Sequence, residues 1–239
     1  MCYNISAETN PYALEELLEA KYEDYSDWDP FHAISGFAHP RLPVLTSEDP
    51  AKIRRMTWGL IPHWAENHAK AAELKNQTLN AKSETIFEKP SFRYPILRRR
   101  CLVPVTGFYE WQSVNGKKFP YFIYSKNKKP FVLAGIYDNW VDTDTGEILQ
   151  GFSILTTEAN PMMARIHNSK QRMPLILPHE KQKAWISANA GRLELESLMQ
   201  VFDETEMDSH TVSKLVTQHA NVPEAKDPFD YPELGLMLF

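Results

Sequence analysis

Short strand-like segments through the middle of the chain constrain its fold more than any other feature. They are rich in apolar, β-branched and aromatic residues, and the first of them alternates as a half-buried strand does. These segments lie at 56–60, 101–105, 107–111, 121–124, 131–137, 152–156, 173–177 and 211–216. So many short strands predict a fold that is built on a β-sheet.

Helical patterns flank and interrupt these strands. A helix is expected to begin at Pro11, with Asn10 as its N-cap and an apolar stripe of Leu14, Leu17 and Leu18. Further helices are expected near 67–74, 161–166, 180–187 and 192–202. Because strands and helices do not alternate as βαβ units, the sequence predicts an α+β fold. A twisted, mostly antiparallel sheet would curl into a barrel-like core with flanking helices.

The composition is that of a globular protein. The chain has 239 residues, of which 43% are hydrophobic, enough for one sound core. Without repeats or a long linker, we expect a single domain over 1–239, with 189–239 as a helical and strand extension of no assigned role. The first residues lack a signal-peptide pattern, and no apolar run reaches membrane-spanning length. We therefore expect a cytoplasmic protein that has no membrane partner. We also expect a monomer.

Metal and cofactor motifs are missing from the sequence. Neither a phosphate-binding P-loop nor a dinucleotide fingerprint occurs. The eight histidines show no ligand spacing with carboxylates or cysteines, so we expect no metal and no cofactor. Two cysteines, Cys2 and Cys101, cannot build a disulfide framework, and a reducing compartment suits a free thiol.

Cys2 directly follows Met1, and removal of the methionine would place a free α-amine and a thiol on one residue. The amine can condense with an aldehyde to an imine, and the thiolate can then close a five-membered thiazolidine ring. The second attack is intramolecular and gains a high effective molarity. The alternative is that Cys2 is an ordinary second residue without chemistry.

The charge of the chain is unevenly distributed. Its net charge of −5 argues against bulk binding of polyanions, yet Lys and Arg cluster at 52–55 and 93–100, next to aromatic residues. Such clusters are either solvated faces or parts of a groove that follows a phosphate backbone and stacks bases. The pattern alone leaves both interpretations open.

Three segments carry polar groups where a core would not place them, at 80–85, 107–111 and 164–168. Glu110 lies between two aromatic residues, whose packing would raise its pKa toward neutrality and make it a proton donor. It could equally face solvent. His167 could be a hydrogen-bonded core histidine, and Asn80 could be a helix cap.

Together these segments resemble the SOS response-associated peptidase (SRAP) family. The resemblance runs from residue 2 to about 188. It rests on the order and spacing of Cys2 and the segments 58–64, 80–85, 99–111, 156–160, 166–167 and 172–174. It implies a protein that processes abasic sites by crosslinking covalently to them in single-stranded DNA.

The resemblance also implies site residues. Cys2 matches the family's nucleophile, and Asn80, Glu110 and His167 match its active-site asparagine, glutamate and histidine. The expected roles are acid/base catalysis near Cys2 for Glu110, proton donation to the sugar O4′ for His167, and positioning for Asn80. Without the thiazolidine, the imine can undergo β-elimination, which is lyase activity.

Contacts to single-stranded DNA are also expected. Phosphate contacts are predicted for Arg54, Arg55, Lys82, Arg98 and Arg99, and base stacking for Trp58 or Trp64. The chain departs from the usual family pattern in four places. Tyr3 and Asn4 follow the cysteine where Gly and Arg are common, Lys82 replaces an arginine, the loop 167–174 is longer, and 35–40 replaces another common segment.

Two other functions remain open at this stage. Cys2 could be the nucleophile of a peptidase that acts on its own chain. Alternatively, the basic and aromatic segments could suffice for a non-catalytic reader of single-stranded or modified DNA, for which Cys2 would be incidental.

Overall fold

This computed structural model describes residues 2–218 and 221–235 of the chain. These residues contain thirteen strands and six α-helices, joined by loops and short 3₁₀ helices. The strands are β1 Asn4–Ala7, β2 Lys21–Tyr22, β3 Phe31–Ser35, β4 Arg41–Thr46, β5 Lys52–Trp58, β6 Asn80–Lys82, β7 Arg100–Val105, β8 Gly107–Val114, β9 Lys117–Ser125, β10 Phe131–Val141, β11 Ile148–Glu158, β12 Arg172–Pro174 and β13 Met207–Thr211. The helices are α1 Pro11–Leu18, α2 His68–Gln77, α3 Pro95–Arg98, α4 Pro161–Ile166, α5 His179–Trp185 and α6 Arg192–Leu198.

Five strands close into a barrel. In the order β5, β4, β7, β10 and β11, each strand pairs antiparallel with the next. β11 then pairs in parallel with β5, with Gly151 opposite Thr57 and Phe152 opposite Trp58. This last pairing completes the ring and leaves no open edge between these strands. β6 and β12 also pair with β11, close to the end of that strand.

A second sheet of five strands carries the amino-terminal end of the chain. Its order is β13, β9, β8, β1 and β3, and all its pairings are antiparallel. β8 and β9 form a hairpin whose turn residues, Asn115 and Gly116, both have positive φ angles, 49° and 77°. An Asn-Gly pair in this conformation matches the twist of the flanking strands and sets their register.

One apolar cluster joins the two sheets. It contains Cys2 and Ile5 from the amino-terminal end, Phe108 from β8, and barrel residues such as Val103 and Ile154. The helices α1, α5 and α6 cover the other side of the barrel. The amino-terminal strand is therefore held by core packing as well as by two neighbouring strands.

The α+β fold, the mostly antiparallel sheets, the barrel and the flanking helices are confirmed. Asn10 caps α1, since its side chain accepts a hydrogen bond from the Ala13 N–H at 3.0 Å. Two expected helices end earlier than predicted, α5 at Trp185 and α6 at Leu198. Within residues 2–218 and 221–235, no helix is both long and apolar enough to cross a membrane.

The strand expected at 211–216 is wrong. β13 ends at Thr211, and Lys214–Gln218 is a 3₁₀ helix. The Val212 N–H still donates to the Pro120 carbonyl at 3.0 Å, but proline has no N–H with which to return the bond. The pairing of β13 with β9 therefore does not continue beyond Val212, although the sequence predicted a strand that begins at Thr211 and runs to Val216. The strand expected at 173–177 is likewise shorter and ends at Pro174.

Substitution of Gly151 by alanine should weaken the barrel closure. A Cβ atom at this position would collide with the carbonyl oxygen of Gly59, a backbone atom that cannot move away cheaply. We expect Gly151→Ala to lower the free energy of unfolding by about 1–3 kcal/mol, measured by urea denaturation. Gly191→Ala is the control, because nothing lies within 4 Å of its added methyl group. Equal stability of the two variants would contradict this account of the closure.

Candidate active site

Cys2 lies at the point where the second sheet meets the barrel. β1 pairs with β8 through Asn4 opposite Tyr109 and Ile5 opposite Phe108, and this register brings Tyr3 beside Glu110. The Cys2 carbonyl accepts a hydrogen bond from the Asn80 side-chain amide at 2.9 Å. Asn80 reaches this position because β6 runs parallel to β11, with Asn80 opposite Ile154.

Glu110 is a buried carboxylic acid. Only 4% of the residue is exposed, and its Oε1 has no hydrogen-bond partner within the described residues. Burial raises the pKa of Glu110 to about 8 from an ordinary value of 4.5. The carboxyl group is therefore mostly protonated at neutral pH and can donate a proton. The alternative that Glu110 faces solvent on an open strand is wrong.

His167 directly follows α4 and lies against Glu110. Its Nδ1 is 3.7 Å from the Glu110 Oε2 and 3.0 Å from the Arg172 carbonyl oxygen. Burial lowers the pKa of His167 to about 4, so the ring is neutral at neutral pH. Because a carbonyl only accepts, the proton lies on Nδ1 and Nε2 is a free base. This favours proton acceptance by His167 over the donation that the sequence predicted.

The Cys2 thiol is buried and protonated. Its side chain has no exposure, and burial, followed by the charge of Glu110, raises the pKa of the thiol well above its ordinary range. A buried, protonated thiol reacts poorly with electrophiles in solution. The chemistry of Cys2 therefore depends on a neighbouring base that can take the thiol proton.

A cleft opens next to these groups. Its volume is about 330 Å³, and its walls include Tyr3, Glu110, Trp111, Lys118, His167 and Lys170. Of the four predicted site residues, Glu110 and His167 line this cleft, while Cys2 and Asn80 do not. Cys2 is connected to them by the hydrogen bond from Asn80 and by the charge of Glu110, which acts on its thiol. A carboxylic acid, a neutral imidazole and a thiol in such a place can exchange protons with a small bound group.

Most arginines that the sequence predicted as phosphate contacts already have acidic partners. Arg54 binds Asp49 at 2.6 Å, Arg55 is 4.0 Å from Asp27, and Arg99 pairs with the buried Asp138. These carboxylates reduce the charge that the arginines offer to DNA. Lys82 and Arg98 are exposed, and Lys82 lies two residues beyond Asn80.

The two predicted stacking tryptophans differ in exposure. Trp58 is completely buried, its indole N–H donates to the Leu79 carbonyl at 2.8 Å, and its ring stacks on Phe152. The prediction that Trp58 stacks on a base is therefore wrong, because both of its faces belong to the core. Trp64 is 40% exposed and can still meet a base.

Sequence reasoning missed several residues of the cleft. Lys118 was overlooked, although the Asn115-Gly116 turn signal fixes its place opposite Ser113 on the β8–β9 hairpin. Lys170 lies in the long loop after His167, for which no short motif exists. Arg172 was noted only as part of a motif, yet it binds Glu84 with both terminal nitrogens and supplies the carbonyl that orients His167.

One further group of possible metal ligands lies apart from the residues that line the cleft. His68, Asp142 and Asp144 place one ligand atom each within 4.8 Å of one another. Asp142 also accepts hydrogen bonds from the Asp144 and Thr145 amides, so it already serves the β10–β11 turn. The sequence did not predict this group.

Comparisons with known proteins identify the family of the chain. The family model described as SOS response associated peptidase (SRAP) matches residues 1–219. The chain belongs to the SRAP family. The abasic site processing protein YoqW of Bacillus subtilis is 36% identical to this SRAP chain over 182 residues, covering 75% of this chain and 78% of YoqW. The abasic site processing protein HMCES of Mus musculus is 33% identical over 204 residues, covering 73% of this chain and 56% of HMCES.

Solved structures share the SRAP fold described above. A crystal structure of a protein from Bacteroides thetaiotaomicron matches with a TM-score of 0.91 and 36% identity, covering 95% of this chain and 100% of that one. A protein from Bordetella bronchiseptica matches with a TM-score of 0.78 at 21% identity, over 89% of this chain and 100% of the other. The second likeness concerns the fold alone.

The burial of Glu110 and His167 makes stability depend on pH in opposite senses. For Glu110, with a raised pKa of about 8, the contribution to stability is complete below its ordinary 4.5 and is lost as the pH rises through 8. For His167, with a lowered pKa of about 4, the contribution is complete above its ordinary 6.5 and is lost as the pH falls through 4. Between pH 6.5 and 8, the pH dependence of the free energy of unfolding that comes from these two groups is therefore due to Glu110.

The variant Glu110→Gln tests this dependence. Over that pH window, the free energy of unfolding of the wild type should fall relative to the variant by about 2 kcal/mol. Urea denaturation at several fixed pH values measures the difference. Glu158→Gln, at an exposed carboxylate, should follow the wild type. If the free energies of unfolding of the wild type and Glu110→Gln changed with pH in the same way, Glu110 would not be a buried acid.

Proposed function

We propose that this SRAP protein captures abasic sites in single-stranded DNA as a covalent thiazolidine between Cys2 and the opened sugar. The observation that carries the proposal is that Cys2 lies within electrostatic reach of the buried Glu110, which in turn is 3.7 Å from the neutral His167 in the wall of one cleft. Abasic-site processing is the activity in the names of YoqW and HMCES. The crosslink would shield the site from strand cleavage.

The covalent steps need no redox partner. Removal of Met1 frees the Cys2 α-amine, which attacks the C1′ aldehyde of the opened deoxyribose and forms a carbinolamine. Loss of one water gives an imine. The thiol sulfur then bonds to C1′, the thiol proton passes through a neighbouring base, and the imine nitrogen gains a proton as the C=N double bond becomes single. The product is a five-membered ring, and its closure is favoured because both reactants are on one residue.

Glu110 and His167 divide the proton transfers according to their protonation states. The free Nε2 of neutral His167 accepts the proton of the C1′ hydroxyl as the sugar opens, while protonated Glu110 donates to O4′. Glu110 is then a carboxylate and can take the proton of the thiol, whose own pKa is too high for spontaneous ionisation. Asn80 holds the Cys2 carbonyl and so fixes the position of the amine.

Single-stranded DNA is the substrate that costs least to bind. A missing base and a missing partner strand remove the free energy of unpairing and flipping, a few kcal/mol in duplex DNA. If the thiol fails to close the ring, the imine can lose a C2′ proton and expel the 3′ phosphate. The lyase activity expected from the sequence is therefore a side reaction of the same imine.

A gel assay tests the proposal. The protein, with Met1 removed, is incubated with a single-stranded oligonucleotide that carries one abasic site, and products are separated after heat and detergent. We expect a stable adduct with the wild type and none with Cys2→Ala, because that variant lacks the thiol that makes the adduct permanent. Asn80→Ala should slow the reaction by about tenfold or more, as expected when a reacting group is misplaced.

Cys101→Ala is the matched control. Cys101 is the second cysteine of the chain and is also fully buried, but burial alone raises the pKa of its thiol, whereas the charge of Glu110 also acts on the thiol of Cys2. It should form the adduct as the wild type does. An undiminished adduct with Cys2→Ala would exclude the mechanism. Binding without any adduct, even by the wild type, would support a DNA reader, and Cys2-dependent cleavage of a protein substrate would support a peptidase.

A further inference from the structure

Two lysines face the cleft without an acidic partner. Lys118 on β9 and Lys170 in the loop between α4 and β12 line the cleft with Glu110 and His167, and both lysines are exposed. Their neighbour Lys117 differs, because it pairs with Glu233. Among the residues that the structure describes, neither Lys118 nor Lys170 lies within ion-pair distance of a carboxylate.

The loop that carries Lys170 is anchored to the opposite wall of the cleft. The Asn168 side chain accepts a hydrogen bond from the Ser113 N–H at 3.0 Å and donates one to the Ser113 carbonyl at 2.8 Å. In the β8–β9 hairpin, Ser113 lies directly opposite Lys118. Asn168 therefore links the loop with Lys170 to the hairpin with Lys118, and both cations belong to one framework.

The cleft contains little negative charge to compete with a bound anion. Glu110 is the acidic residue of its lining, and burial keeps that carboxyl group mostly protonated at neutral pH. Lys170 is also close enough for its charge to contribute to the lowered pKa of His167, after the larger effect of burial. The cleft is thus cationic, although the whole chain carries a net charge of −5.

We infer that Lys118 and Lys170 form a phosphate-binding subsite that holds the DNA backbone next to the candidate catalytic groups. This inference rests on the proposed function, which identifies single-stranded DNA as the ligand, and it adds the residues that bind the DNA backbone. The partnered arginines Arg54, Arg55 and Arg99 would then contribute less to DNA binding than the two cleft lysines. A lysine binds phosphate as a point charge, so the subsite reads the backbone and no base sequence.

Salt-dependent binding of an unreactive DNA tests the subsite. The probe is a fluorescein-labelled single strand with a tetrahydrofuran abasic analogue, which has no C1′ hydroxyl and cannot open to an aldehyde. Fluorescence anisotropy gives the Kd at several KCl concentrations for the wild type and the double variant Lys118→Ala/Lys170→Ala. We expect weaker binding and a plot of log Kd against log salt that is shallower by about 1.4, since each phosphate contact to a single strand contributes about 0.7.

Two control proteins make the result specific. Lys126→Ala/Lys129→Ala removes the same charge from exposed positions in the β9–β10 turn and should keep the wild-type slope. Lys118→Arg/Lys170→Arg keeps the charge and should also retain the slope. If the cleft alanine variant has the slope of the turn variant, the subsite does not exist.

The same proteins separate failure of the subsite from failure of the proposed function. With a reactive abasic strand at saturating concentration, the wild type and the turn variant should both form the adduct, because neither lacks a residue of the cleft. Absence of an adduct with the wild type would remove the proposed chemistry, while the slopes measured with the unreactive probe would still decide whether the two lysines bind phosphate.

Discussion

The position of the amino-terminal strand inside a sheet is the constraint on which the site depends. β1 pairs with β3 on one side and β8 on the other, and the Cys2 side chain packs into the apolar cluster that joins the sheet to the barrel. Cys2, two residues before this strand, cannot move freely, because the Asn80 side-chain amide also holds its carbonyl. A chain end, which is usually poorly ordered, is here fixed against a buried acid.

The same arrangement explains the state of the ionisable groups. A buried carboxyl group is costly as an anion, so Glu110 keeps its proton, and His167 stays neutral because burial also disfavours a charged imidazole. The site thus contains an acid and a base at neutral pH, although a glutamate in water is an anion at that pH. Strongly shifted pKa values of this kind cluster at functional sites, which supports the catalytic role that we propose for the pair.

Much of the fold could be predicted from the sequence, because strand patterns, turn residues and helix caps are local signals. Asn10 and Pro11 mark the start of α1, and Asn115-Gly116 marks a hairpin whose register places Lys118 at the cleft. The closure of the barrel through Gly151 is a pairing between strands far apart in sequence, and no local pattern reveals it. The end of β13 depends on a proline in the neighbouring strand.

The sequence identified the candidate catalytic residues better than it identified the candidate DNA contacts. Cys2, Asn80, Glu110 and His167 were found through motifs, and the structure brings them to one place. The basic runs were misleading, because a run of arginines does not show which of them meet acids such as Asp49 or Asp138 in the folded chain. Burial of Trp58 was equally invisible, since an aromatic residue in an alternating strand can face either side.

Mass spectrometry of the isolated adduct tests the central claim most directly. After nuclease and protease digestion under denaturing conditions, treatment with iodoacetamide reports whether the Cys2 sulfur is free. The account predicts an amino-terminal peptide without Met1, joined to the sugar with loss of one water, whose sulfur resists alkylation because it is part of the ring. A sugar attached to a lysine, or a Cys2 sulfur that is alkylated in the adduct, would contradict it.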